Sequence, residues 1–239
     1  MKCIILAAGQ GKRIKCITNK IPKCLIKINN ESILERQIRF LNKYNIKDII
    51  VVKGFKEKKI KLSSINYIIN KNFKNSEQLD SLFCASKELD QDVLITFSDI
   101  IYDFSIIKDL TKSKNGEIIL AVDKKWKNRY KFRYDHPYEQ ADKVKINNKG
   151  EILKIGKAIK LEETNGEFLG ILRLSKKGCK IFLKNYFTLK KKKKTKKMQI
   201  HDFIQYLLSK KNKIKACFTN GKFMEIDTMN DLRIAKEIF

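Results

Sequence analysis

The chain has no C-x-x-C pair, no internal repeat, no long apolar run and, in 239 residues, two histidines. Each absence removes a class of function. The six cysteines, Cys3, Cys16, Cys24, Cys84, Cys179 and Cys217, are scattered, which signals neither a zinc site nor a disulfide framework. They read as reduced thiols of a cytoplasmic protein. A bilayer-spanning helix needs roughly 18–20 consecutive apolar residues, and the short apolar stretch at the start lacks the core and cleavage site of a signal peptide, so a soluble protein without membrane partners is expected. His136 and His201 have no serine, cysteine or second metal ligand at motif spacing, so neither triad chemistry nor a covalent intermediate is expected. Acidic residues are few, 26 against 53 Lys and Arg, for a formal net charge of +27. That excess invites a nucleic-acid reading, supported by the basic run at 190–197. The lysines are nevertheless spread almost everywhere, and the abundance of Lys, Ile and Asn together is what an AT-rich coding genome produces. Nucleic acid is therefore not the expected partner, although the charge helps to recruit an anionic substrate.

What is present is an α/β pattern. Apart from Lys2, residues 2–6 are continuously apolar, as in a parallel strand buried on both faces. Ser32 is a candidate N-cap for a helix carrying Ile33, Leu34, Gln37, Ile38 and Leu41 on one face. Strands are expected at 48–52, 65–69 and 93–97, with a helix through Leu79, Leu82, Phe83 and Ser86 between the last two. Strand, helix, strand, strand, helix, strand is the rhythm of a doubly wound, mostly parallel, Rossmann-like sheet, in which ligands gather at the carboxyl ends of strands. A further strand at 117–122 leads into a polar aromatic stretch, 126–138, expected as a loop over the site. Residues 141–155 read as a β-hairpin turning at Gly150, which makes a small mixed region over the active site. Strands at 168–174, 214–218 and 223–226, helices at 175–186, 200–208 and 230–239, and a solvated, mobile loop at 190–197 complete the expectation. The length suits one domain, 1–239, with a nucleotide-binding half at about 1–122 and an acceptor-binding, closing half at about 123–239.

The string Leu6-Ala7-Ala8-Gly9-Gln10-Gly11-Lys12-Arg13 follows the first strand, with Thr18, Pro22 and Lys23 further along the same connection. Small residues let backbone approach a nucleotide, exposed N–H groups can meet phosphate oxygens, and Arg13 and Lys23 bring charge where pyrophosphate would leave. It is not a Walker loop, and it lacks the third glycine of the dinucleotide fingerprint. At these spacings the string resembles the signature of the sugar-phosphate nucleotidyltransferase superfamily. The resemblance implies that Leu6, Ala7, Ala8, Gly9, Gly11 and Lys12 hold base and triphosphate, while Arg13 and Lys23 stabilise triphosphate and leaving pyrophosphate. Cys24 stands where alanine or proline is usual in that family.

Nucleotidyl transfer needs carboxylates for Mg2+. Asp99 ends the strand at 93–97, and Asp227 precedes the last helix; either alone is more often a helix cap or turn residue, but together with the first loop they match the family's metal pair. The segments 97–102, 126–130, His136-Pro137, Ala141, 155–157 and 166–170 look like the phosphonate and phosphocholine cytidylyltransferases. That likeness implies a role for Lys157 at the acceptor phosphate and for Glu167, Arg129, Tyr130 and His136 in shaping the acceptor pocket; Trp126 could stack on a ligand but reads more simply as filling a core. Gln78 and Ser81 are candidates for pyrimidine or ribose contacts, with a helix cap as the plain alternative. The expected reaction is in-line attack of an acceptor phosphate or phosphonate oxygen on CTP, with Mg2+ and no general base. The acceptors expected are phosphocholine, aminoethylphosphonate or a phosphorylated amino acid or amide; sugar-1-phosphate uridylyl or thymidylyl transfer is the alternative. A homodimer is allowed.

Overall fold

The apolar residues at the start form β1 (Lys2–Ala7), buried along its whole length because helices cover both faces of the sheet it centres. The computed structural model describes residues 1–239 except Asn115 and Lys196. After the short α1 (Lys15–Thr18) and a hairpin of β2 (Lys27–Ile28) and β3 (Glu31–Ser32), α2 (Ile33–Lys43) starts on the expected Ser32 cap. The cap is reciprocal: Ser32 Oγ accepts from Glu35 N–H (3.2 Å) and Glu35 Oε2 from Ser32 N–H (2.9 Å). There follow β4 (Asp48–Lys53), β5 (Asn66–Ile69), α3 (Gln78–Cys84), β6 (Val93–Phe97), β7 (Ile100–Tyr102), α4 (Phe104–Lys112), β8 (Ile118–Asp123) and α5 (Lys127–Tyr130). The rest of the chain forms β9 (Lys143–Ile146), β10 (Ile152–Ile155), β11 (Gly166–Leu174), α6 (Lys176–Lys191), α7 (Ile200–Ser209), β12 (Lys215–Phe218), β13 (Phe223–Glu225) and α8 (Met229–Ile238).

The main sheet runs β10-β9-β11-β6-β1-β4-β5, with β8 paired to β11 and to β12. Its centre, β6-β1-β4-β5, is parallel, so the doubly wound α/β expectation holds. From β1 the chain winds outward through β4 and β5, then returns to place β6 on β1's other side. The strand order therefore reverses between β1 and β6, and their carboxyl ends open a crevice. The loop after β1 and Asp99 after β6 both lie there.

On the far side of β6, β11 runs antiparallel, and its register shifts between Phe168 and Leu172. Gly170 makes this bend: its φ is +70°, and a Cβ there would sit 2.5 Å from Phe97 Cδ2. The hairpin of β9 and β10 is antiparallel as expected, with Gly150 at φ +72°.

Several local expectations need correction. Helix α4 fills a stretch where none was expected, burying Ile106, Ile107 and Leu110. The strand expected at 223–226 is present as β13, and it pairs with β7 in a separate two-stranded sheet. The stretch 126–138 is only partly loop: it carries α5, and Trp126 is 1% exposed against Tyr130, Ala141 and Tyr138. Helix α6 continues through Lys190 and Lys191, because its buried face repeats at Phe182, Tyr186 and Leu189. The start of the basic run is thus helical, and Lys196 within it lies outside the described residues.

Candidate active site

The loop after β1 is shaped by two small contacts. Gly11 sits at φ +60°, and a Cβ there would come 2.8 Å from Thr18 Cγ2. Thr18 Oγ1 donates to the carbonyls of Gly11 (3.0 Å) or Ile14 (3.2 Å), which clamps the loop against α1. Gly9 faces open space. The cavity beside it, about 260 Å³, is lined by Leu6, Ala7, Ala8, Gly9, Gly11, Lys12 and Arg13 of the loop, by Gln78 and Ser81, and by Lys23, Asp99 and Asp227. All the residues expected at the nucleotide therefore lie on one wall or another of it. Neither Gln78 nor Ser81 caps α3; the cap position is Glu77, without a side-chain bond. Ser81 Oγ accepts from Asn70 Nδ2 (3.0 Å), and Gln78 reaches the amide of Ile200 only at 3.5 Å.

Where β1 and β6 part, charges converge. Lys23 Nζ donates to Asp99 Oδ2 (2.9 Å) and to Asp227 Oδ1 (2.5 Å), while Arg13 pairs with Asp227 Oδ2 (2.5 Å). Burial works against the Lys23 ammonium, but Asp99, Asp227 and Glu225 hold its pKa above the ordinary value. Burial likewise opposes the Asp227 carboxylate, and Lys23 and Arg13 outweigh it, so Asp227 stays below the usual carboxylate range. Asp99 and Asp227, separated by 128 residues, are thus brought to one ammonium.

Glu225 belongs to the same group, and the sequence reading missed it. Its side chain is 32% exposed, yet partial burial and then the charges of Asp227 and Asp99 push its pKa well up. The signal was Glu225-Ile226-Asp227: Ile226 is fully buried, which turns its two neighbours to the other side. Ligand atoms of His136, Glu225 and Asp227 lie within 4.8 Å of one another, a grouping able to hold a divalent metal. The carboxylates fit a hard cation, and Asp227 Oδ2, though ion-paired, accepts no hydrogen bond of regular geometry. His136 fits less well. Arg133 NH2 is 2.8 Å from His136 Nδ1, and a guanidinium only donates, so Nδ1 must accept and the neutral ring carries its proton on Nε2.

The segment holding Asp227 is pinned by α8. Asp231 Oδ2 accepts from the amides of Asp227 (3.0 Å) and Thr228 (2.9 Å), and Asp231 Oδ1 accepts from Arg133 Nε (2.7 Å). Burial tends to raise the Asp231 pKa, but the hydrogen bond and charge of Arg133, with the amide of Asp227, carry it far below the carboxylate range. Thr228-x-x-Asp231 is a capping box that the sequence displays and the reading overlooked.

A second cavity, about 130 Å³, adjoins the first and shares Arg13, Gln78, Phe97, Asp99 and Asp227 with it. Of the expected acceptor residues, His136, Lys157 and Glu167 line this second cavity. Arg129 and Tyr130 stand behind it instead: Tyr130 OH donates to Glu167 Oε1 (2.5 Å), and Arg129 pairs with both Glu167 and Asp123. They fasten the 126–141 segment to β11 through Glu167. Asp142, Gln140 and Gln199, which the sequence reading did not single out, complete the wall.

Residues 3–153 match the MobA-like NTP transferase domain. The chain belongs to this family of nucleotidyltransferases. The enzyme is 30% identical over 254 aligned residues to the CTP:phosphoglutamine cytidylyltransferase of Campylobacter jejuni, covering 99% of this chain and 100% of that one. It is 31% identical over 117 residues to the choline-phosphate cytidylyltransferase of Streptococcus pneumoniae, covering 47% of this chain and 51% of the other. Among solved structures, the inositol-1-phosphate CTP transferase of T. maritima superposes with a TM-score of 0.79 at 21% identity, over 99% of this chain and 95% of that one. At that identity the likeness is one of fold. None of the enzyme's helices, among the described residues, is long and apolar enough to cross a membrane.

Proposed function

We propose that the enzyme transfers CMP from CTP to a small phosphate- or phosphonate-bearing acceptor and releases pyrophosphate. The observation that carries this reading is the pair of adjoining cavities that meet at Asp99, Asp227 and Arg13, the larger at the glycine loop and the smaller under the 126–142 segment. The full-length similarity to a CTP:phosphoglutamine cytidylyltransferase supports cytosine as the base and a phosphorylated small molecule as the acceptor.

In this reading the backbone of the loop from Leu6 to Gly11, with Lys12, Gln78 and Ser81, holds the nucleotide. Arg13 and Lys23 stabilise the charge that builds on pyrophosphate as the bond from α-phosphorus to the bridging oxygen breaks. Lys157 and the Nε2–H of His136 orient the acceptor, whose oxygen forms the new bond to the α-phosphorus. Asp99 and Asp227, with Glu225 beside them, would hold Mg2+, which offsets negative charge on the α-phosphate. No side chain needs to act as general base, because a phosphate monoester is already largely dianionic near neutral pH. We further assign residues up to about 122 to the nucleotide and the remainder mainly to the acceptor, and place the enzyme in a reducing cytoplasm that suits its six free thiols.

The test is pyrophosphate release with Mg2+ and each of CTP, UTP, dTTP, ATP and GTP against phosphocholine, aminoethylphosphonate, phosphorylated amino acids and sugar-1-phosphates. Release with CTP and a non-sugar acceptor, lost in Asp99→Ala, supports the proposal. Release confined to UTP or dTTP with a sugar phosphate contradicts it.

A further inference from the structure

The second cavity is unusually specific about what an acceptor's organic part must offer. Asp142, just ahead of β9, is held from both ends. Its carbonyl accepts the amide N–H of Phe168 on β11 (2.9 Å), and its Oδ1 lies at ion-pair distance, 3.0 Å but without regular hydrogen-bond geometry, from Nδ1 of the buried His201 on α7. The other imidazole nitrogen lies 3.3 Å from Asp202 Oδ1, so the ring is fixed between two carboxylates. Among the described residues Asp142 Oδ2 has no protein donor. The remaining carboxylates of the cavity are engaged elsewhere: Glu167 by Tyr130 and Arg129, Asp99 and Asp227 by Lys23, and Glu225 within the metal-capable group.

A quaternary ammonium is recognised by open aromatic faces, whereas a primary ammonium needs oxygen acceptors for its N–H groups. The aromatic faces here are covered. Phe97 packs against Gly170 and edge-to-face with Phe168 (6.1 Å), and the Arg129 guanidinium lies 5.0 Å over Phe223. Trp126, Tyr130 and Tyr138 pack on one another outside the cavity. The wall does contain a donor for an anionic oxygen: His136 is 2% exposed, and its Nε2 has no partner although it lines the cavity. The cavity therefore offers a donor pair, His136 and Lys157, for the acceptor's anion and an anchored carboxylate for a cation.

We propose that Asp142 is the seat of a primary ammonium on the acceptor, oriented by His201, and that the enzyme selects amine-bearing phosphorylated acceptors over quaternary-ammonium ones. This rests on the CMP-transfer reading above and narrows its acceptor class.

The experiment measures kcat and KM with CTP and Mg2+ for phosphoethanolamine, phosphocholine and ethyl phosphate, which differ in the amine alone. The wild type is expected to favour phosphoethanolamine over phosphocholine by about 10-fold or more in kcat/KM, a difference residing in KM. In Asp142→Asn the preference for phosphoethanolamine over ethyl phosphate should collapse by about 10- to 100-fold, as for a lost charge-assisted hydrogen bond. His201→Asn, which leaves the carboxylate in place but frees it, should reduce the same preference several-fold. Equal or better use of phosphocholine by the wild type overturns the proposal, as does a uniform loss on all three acceptors in both variants. Absence of CTP-dependent pyrophosphate release with any acceptor overturns the CMP-transfer reading and this proposal together.

Discussion

Gly170→Ala isolates what the bend in β11 does for the site. The residue has φ +70°, a conformation that costs an L side chain about 1 kcal/mol or more. The added Cβ would lie 2.5 Å from Phe97 Cδ2 and 3.0 Å from its Cγ, so the ring itself must move. Phe97 is 7% exposed and packed against Phe168, and overpacking of this kind costs about 1–3 kcal/mol. The expected destabilisation is about 2–4 kcal/mol, and for a chain of this size each kcal/mol lowers Tm by about 2–4 °C. Thermal unfolding should therefore show a drop of about 5–15 °C. Because Phe97 lines both cavities, KM for both substrates should rise as well. Phe97→Leu in the same chain should restore part of the lost stability, since the two changes share one contact. A Tm within about 2 °C of wild type, with unchanged KM values, would mean that neither the positive φ of Gly170 nor its contact with Phe97 shapes the site.

Other expectations follow from the charge cluster. Asp227→Ala leaves Lys23 and Arg13 without their buried partner, and turnover should fall at least about 100-fold in a steady-state assay. Arg133→Met strips the buried Asp231 of its cation; breaking such a pair costs about 3–5 kcal/mol, readable in a urea titration, and kcat should fall because Asp231 positions the Asp227 segment. Burial lowers the His201 pKa, but the close carboxylate of Asp142 and then the charge of Asp202 outweigh it, so the folded value is raised. Its contribution to stability is complete below the unfolded value of about 6.5 and is lost as pH rises through the folded one. Wild-type Tm should accordingly decline more steeply above about pH 6.5 than that of His201→Asn.

Much of the fold was legible because local patterns and tertiary environment agree. The unbroken apolar run of β1, the Ser32 cap of α2 and the glycine loop all mean the same thing alone and in the folded chain. Asp99 was legible for the same reason: a carboxylate at the end of a buried strand lies at the mouth of a doubly wound sheet. Helix α4 was readable from Ile106, Ile107 and Leu110, but its apolar residues follow directly on those of β7, which blurs the change of period. The fate of Arg129 and Tyr130 was not readable. Whether they face a ligand or a carboxylate depends on Glu167, which stands 37 or 38 residues away on β11 and meets them only in the folded chain. Glu225 was only half legible: the alternation Glu225-Ile226-Asp227 puts it on the side of Asp227, but its raised pKa arises from burial and from Asp227 and Asp99, and Asp99 reaches it only in the folded chain.

CMP transfer to a small phosphorylated acceptor is what the two adjoining cavities and the full-length likeness to a cytidylyltransferase support. The most direct test gives the enzyme equimolar CTP, UTP and dTTP with Mg2+ and one such acceptor, and identifies the conjugate by mass spectrometry while counting pyrophosphate. A cytidylyl conjugate formed with one pyrophosphate per product, and absent in Asp227→Ala, is the result predicted. A uridylyl or thymidylyl conjugate, or CTP hydrolysed without any conjugate, would contradict it.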